Sequence, residues 1–205
     1  DHRDLHSFPT RRSSDLLYTL PRKSTVAGRE VKQISLFEPA SSRVTKRYVY
    51  KPDYNAGQIE VALRLVNSEA AGLGMPLPAG RVRIFKADDD GSLILLGEDA
   101  VKHTPRDEEV NLRVGYAFDI VPEERLMSQN RLSQQVEERT YEIEIRNRKD
   151  DAVTVNVEKL LYGDWEITSA SFEYKKKNAT TLTFDINVPA RQSVKATYTV
   201  RLRWQ

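Results

Sequence analysis

The chain has no cysteine and only three histidines, two tryptophans and two methionines in 205 residues. Without cysteine there is no disulfide, no thiolate nucleophile and no cysteine-ligated metal, and the lack selects no compartment. Long apolar runs are also missing: no stretch approaches the roughly eighteen residues that a membrane-spanning helix needs. A charge surplus is missing too, since 32 Lys+Arg face 30 Asp+Glu for a net charge of +2. With both signs interspersed, nothing favours a nucleic-acid partner or an anionic membrane surface. The sequence pI of 8.7 reflects only that small surplus.

Asp1 to Leu16, DHRDLHSFPTRRSSDL, differs in composition from everything after it and holds two of the three histidines. Position for position it matches one translation frame of a widely used short-read sequencing adapter. It is therefore expected to be an assembly artefact and is set aside from fold reasoning. It contains three arginines and three aspartates, so removing it leaves 189 residues, 29 Lys+Arg, 27 Asp+Glu, one histidine and the same net charge. An adapter at the amino end implies a reading frame that opens mid-gene, with any leader, anchor or upstream domain lost.

What is present is alternation. Val31, Ile34 and Leu36 follow an Ala27-Gly28 turn; Tyr48 and Tyr50 alternate; Ile59, Val61, Leu63 and Leu65 alternate strictly. Period two gives a strand one apolar and one solvated face. Asn67 to Pro78, with two glycines and two prolines, breaks the pattern as a loop. Arg81 to Lys86 and Ser92 to Leu96 flank Asp88-Asp89-Asp90-Gly91, which predicts a hairpin because glycine takes positive φ freely. Val110, Leu112 and Val114 form another strand after Thr104-Pro105. Pro122 to Arg139 is the one helical expectation, from Pro122-Glu123-Glu124 and a thin stripe of Leu126, Leu132 and Val136.

The last third alternates most clearly: Tyr141, Ile143, Ile145; Val153, Val155, Val157; Trp165, Ile167; Phe172, Tyr174; Leu182 to Val188; Val194 to Trp204. Turns every eight to twelve residues, including Arg148 to Asp151, predict a sandwich of immunoglobulin-like type. The expected fold is thus all-β, an antiparallel sandwich of two packed β subdomains. Residues 17–120 form the first and 121–205 the second, immunoglobulin-like one.

Several separated strings carry a family resemblance: Pro76 to Arg83; the hairpin with Leu96-Gly97-Glu98-Asp99; His103-Thr104-Pro105; Asp107-Glu108-Glu109; Gly115 with Ala117-Phe118-Asp119; and Tyr141 to Lys149. In this order they resemble a bacterial family catalogued as domain of unknown function 4139, some members of which are labelled mucoidy inhibitor A-like. The resemblance runs from about Leu17 to Trp204 and is densest from Leu77 to Ile120. It implies an envelope or extracytoplasmic location, often with a further β domain and a coiled coil upstream, and it brings no catalytic residues.

Candidate sites are few. With Gly91 at position six of a calcium loop, Asp90 and Asp88 fit, but Lys86 and Gly97 fall at positions one and twelve, so the template fails. An acidic hairpin tip is expected instead. A hydrolase would use His103 as base, oriented by Asp107, Glu108 or Glu109, with a serine nucleophile. No G-x-S-x-G elbow exists and Ser92 falls on the hairpin, so a turn-capping His103 is expected. Gly72-Leu73-Gly74 and Gly80 lack phosphate-loop spacing. Lys175 to Lys177, Glu108-Glu109 and Glu123-Glu124 are expected on solvated turns. Asn178-Ala179-Thr180 matches a glycosylation acceptor. Tyr48, Tyr50, Tyr54 and Tyr116 offer either a sugar-stacking face or core.

The expectation is a non-catalytic structural or protein-interaction module of the bacterial cell envelope, periplasmic or otherwise extracytoplasmic, with no cofactor or metal. Its partner would be an envelope protein or polysaccharide. A carbohydrate- or peptide-binding module and a hydrolase using His103 are the alternatives.

Overall fold

The computed structural model describes residues 23–204. Asp1 to Leu16, and with them the adapter expectation, lie outside the described residues, as does the start of the expected 17–120 subdomain. The described residues divide into two units, with the boundary between Ala40 and Ser41. In the first, the Ala27-Gly28 turn is present, with the Glu30 N–H donating to the Ala27 carbonyl at 3.2 Å. The strand expected from Val31 to Leu36 is not, because alternation alone makes no strand without a ladder partner, and Val31 is 99% exposed.

The second unit holds twelve strands: β1 Thr45–Tyr50, β2 Ile59–Val66, β3 Gly80–Ala87, β4 Leu93–Val101, β5 Glu109–Ala117, β6 Ile120–Arg131, β7 Val136–Asn147, β8 Val153–Leu160, β9 Asp164–Ala170, β10 Tyr174–Asn178, β11 Thr181–Val188 and β12 Ser193–Arg203. One sheet runs β10-β11-β8-β1-β2-β5, the second β6-β7-β12-β9, and β3-β4 stands as a two-stranded ribbon. The two large sheets pack as an all-β sandwich. Their pairings are antiparallel except one: β1 runs parallel to β8, with Tyr48 opposite Val155 and Tyr50 opposite Val157.

That parallel pair corrects the expected division at residue 120. β1, β2 and β5 share a sheet with β8, β10 and β11, and Tyr50 and Ile59 pack in the same core as Ile143, Val155, Ile186 and Val200. Hydrophobic periodicity marks faces but not partners, so it could not show that the early strands complete the late sheet. The helix expected within Pro122 to Arg139 is also corrected, since β6 and β7 pair from Ile120–Asn147 to Arg131–Glu137. Pro122 is tolerated because β6 is an edge strand, where a missing N–H need not break a ladder. Lys175 to Lys177 lie on β10 rather than on a turn, and lysines on an edge strand discourage further strand pairing.

In β11, Leu182, Phe184, Ile186 and Val188 are all buried, as expected from their alternation. In β2 a register shift between Val61 and Ala62 interrupts the pattern, so Ala62 rather than Val61 is buried.

Two buried asparagines hold the irregular connections. The Asn67 amide donates to the carbonyls of Met75 (2.7 Å), Pro105 (2.9 Å) and Thr104 (3.4 Å) and accepts from the Gly74 N–H (3.1 Å). Asn147 donates to Asp151 (2.8 Å), Pro189 (3.1 Å) and Val188 (3.2 Å) and accepts from the Lys149 N–H (3.0 Å). Each closes a loop by satisfying backbone groups that would otherwise be buried unpaired. Gly72 and Gly74, at φ 79° and 94°, let the first loop turn beneath Asn67.

Asn147→Asp places a charged acceptor against three carbonyls. Its urea midpoint should fall by the equivalent of at least about 2 kcal/mol, more than for Asn187→Asp on an exposed position of β11.

Candidate functional site

The ribbon of β3 and β4 contains the hairpin expected from the sequence. At its tip the Asp88 N–H donates to the Ser92 carbonyl at 2.8 Å and the Gly91 N–H to the Asp88 carbonyl at 2.9 Å, with Gly91 at φ 83°. The Asp88 and Asp90 carboxylates accept from the neighbouring Asp89 and Ser92 N–H groups, at 3.0 and 2.8 Å. Among the described residues, no group of three or more His, Cys, Asp or Glu side chains is placed to hold a metal ion. The base is fixed to β5: Asp99 accepts the Arg113 N–H at 2.7 Å, and a Cβ on Gly97 would sit 2.0 Å from the Val114 carbonyl oxygen.

Beyond that base the ribbon is apolar and open. Phe85, Leu93, Ile94, Leu95 and Leu96 are each between 46% and 67% exposed. Because strand side chains alternate, Leu93 and Leu95 share one face while Ile94 and Leu96 share the other. Both faces thus carry exposed apolar groups, with charged side chains beside them. Arg81 and Arg83 both pair with Glu98, at 3.0 and 2.9 Å.

His103 lies in the loop before β5, exposed, with Nδ1 accepting the Ala79 N–H at 3.2 Å. The acidic residues after it bind elsewhere: Asp107 pairs with Arg106 at 3.5 Å, and Glu109 with Arg64. The expected tyrosine set also separates. Tyr50 is 1% exposed in the core and Tyr48 packs against it, whereas Tyr54 is exposed and the half-exposed Tyr116 bonds Asn55.

A cluster that was not foreseen sits at one end of the sandwich. The Lys159 ammonium on β8 reaches Asp53 Oδ1, in the β1–β2 loop, and Glu124 Oε2, on β6, both at 2.8 Å. Asp53 Oδ2 accepts the Leu160 N–H at 2.8 Å, and Glu124 Oε1 accepts the Tyr198 hydroxyl at 3.1 Å. Tyr141 stacks on Tyr198 with centroids 5.3 Å apart, and its ring lies 5.0 Å from the Lys159 nitrogen. Burial alone would lower the Lys159 pKa, but Asp53 and Glu124 together outweigh it and hold the ammonium above its ordinary value. A lysine kept charged in this way is a poor amine nucleophile. Burial, then the charges of Glu124 and Asp53, pushes the Tyr50 phenol up to about 12, and burial drives Tyr198 well above its ordinary value.

Above the cluster opens a cleft of 680 Å³, walled by Leu160, Leu161 and Leu202, floored by Tyr141 and Lys159, and rimmed by Tyr162, Asp164, Arg203 and Trp204. No protein-family model matches the chain, and no curated protein matches it. Glu123 and Glu124, expected on a solvated turn, instead lie on β6. Glu123 faces Arg125 and Arg146, while Glu124 turns inward to Lys159. The available signal was Lys159 itself. It follows Val153, Val155 and Val157 at even spacing, on the buried face of β8.

Lys159→Ala leaves two carboxylates facing one another beneath the cleft and should cost about 3–5 kcal/mol in urea unfolding at pH 7. The raised folded pKa values of Lys159, Tyr50 and Tyr198 mean that the folded state keeps these protons when the unfolded state begins to lose them. Their contribution is complete below about pH 10, the ordinary range of lysine and tyrosine, and is lost as pH rises through the raised folded values, which for Tyr50 means about 12. Urea midpoints measured across that window should fall more steeply for the parent chain than for Lys159→Met.

Proposed function

We propose that this chain is a non-catalytic protein-interaction module whose contact surface is the β3–β4 ribbon. One observation carries the proposal: both faces of the ribbon leave large apolar side chains about half exposed. A two-stranded ribbon is marginal in water by itself, and contiguous exposed apolar surface in a stable protein usually marks a contact. The ribbon's anchorage on β5 through Asp99 and Gly97 presents that surface in a fixed orientation. The ribbon pairs with neither large sheet, which suits strand addition by a partner.

His103 committed to the Ala79 amide and Lys159 held as a cation both favour binding over turnover. The resemblance of Leu77 to Ile120 to an extracytoplasmic bacterial family supports an envelope protein as the partner. Among the described residues no helix is long and apolar enough to cross a membrane.

With a photoreactive residue in place of Ile94, the purified chain should crosslink to one envelope protein from a bacterial extract. Leu93→Ser with Leu95→Ser should abolish that product while shifting the thermal midpoint by no more than a few degrees, because both side chains are already exposed. Unchanged crosslinking in the double variant, or turnover of a glycan, ester or peptide that His103→Ala removes, would count against the proposal.

A further inference from the structure

We infer that the cleft above Lys159 is a second binding site, for an uncharged oligosaccharide. Its volume of 680 Å³ is within the range of small-ligand sites. The chemistry of its rim narrows the class. Tyr162 is 73% exposed and Trp204 48%, and neither ring has a hydrogen-bond partner or a stacked ring among the described residues. The other tryptophan, Trp165, is 4% exposed, and its indole N–H donates to the Ala179 carbonyl at 2.7 Å. Two free aromatic faces on one cleft offer what the C–H face of a sugar ring packs against.

The polar groups favour a neutral ligand over an anion. Arg203 pairs with Glu166 at 3.0 Å and Asp164 at 3.5 Å, Arg139 with Glu137 at 2.5 Å, and Lys159 with Asp53 and Glu124. Every cation in the lining is thus matched by a carboxylate. A phosphate or a fatty acid would meet no cation whose charge is not already neutralised. Hydroxyl groups need only add to these pairs, donating to a carboxylate and accepting from a guanidinium.

The walls are set before any ligand arrives. The Trp204 N–H donates to the Gln135 carbonyl at 3.0 Å, and Asp53 holds the Leu160 N–H. Gly163, at φ 79°, turns the β8–β9 loop so close to β12 that a Cβ would sit 3.1 Å from the Arg203 carbonyl oxygen. Binding therefore immobilises little of the protein.

The two tryptophans allow a fluorescence test, because Trp204 lines the cleft while Trp165 is buried outside its lining. The full chain would be titrated with cellotetraose, maltotetraose and the tetramer of β-1,4-linked N-acetylglucosamine. At least one should give a saturable fluorescence change, with affinity nearly the same at about 0.05 and 0.5 M salt, as expected for an uncharged ligand. Tyr162→Ala should weaken it by about tenfold, the loss of one aromatic contact. Phe118→Ala, removing an aromatic that is 93% exposed outside the cleft, should leave it unchanged. Trp204→Phe should remove the fluorescence change while calorimetry still detects binding. No saturable response to any of the three sugars, equal affinity in Tyr162→Ala, or a response confined to inorganic phosphate or a hydrophobic peptide would each overturn the inference. The cleft shares no residue with the ribbon, so the two sites succeed or fail separately.

Discussion

The structure depends on one buried cation. Lys159 leaves the apolar face of β8 and is charged only because two carboxylates meet it there, one from the β1–β2 loop and one from β6 on the opposite sheet. An isolated ammonium in that place would be costly, and so would either carboxylate alone. The triad therefore exists as a whole or not at all. Its three chain segments lie far apart in sequence, so forming it fixes the β1–β2 loop, the edge strand β6 and the centre of the larger sheet together. Tyr198 and Tyr141 extend the cluster into the aromatic core, and Tyr141 with Lys159 sets the floor of the cleft.

The parallel pairing of β1 with β8 works to the same end. A parallel neighbour cannot be reached through a tight turn, and the chain takes about a hundred residues to return from β1 to β8. That separation makes the contact slow to form and, once formed, makes one sandwich of strands that look in sequence like two modules. Where irregular connections must sit against this frame, Asn67 and Asn147 supply the missing backbone partners. Both follow the alternating part of a strand and use one side-chain amide to close a loop.

Against this well-satisfied frame the two open surfaces stand out. Among the described residues, one buried side-chain polar atom, the Ser42 hydroxyl oxygen, lacks a partner. The ribbon and the cleft rim, by contrast, leave apolar and aromatic groups in water. The ribbon does so with aliphatic residues on both faces, which suits another protein. The cleft does so with two aromatic rings beside neutralised charge pairs, which suits a sugar. Both are tied to the frame, the ribbon through Asp99 and Gly97 on β5 and the cleft through the backbone of Trp204 and the carboxylate of Asp53.

The sequence by itself determined the class of fold, the faces of most strands and the position of the hairpin, because period-two alternation and Asp-Gly are local signals. Leu182 to Val188 and Asp88 to Gly91 could be understood without reference to any other part of the chain. The sequence also exposed Lys159, as a charge at an inward position, without naming its partners. The partners belonged to the tertiary structure: β1 beside β8, Glu124 beneath Tyr198, β6 as a strand rather than a helix. Tyr162 and Trp204 likewise became rims of one cleft only when β12 returned beside β9. Alternation states which side of a strand is apolar, whereas pairing and ion contacts are set by the lowest-energy closure of distant segments, which no local pattern encodes.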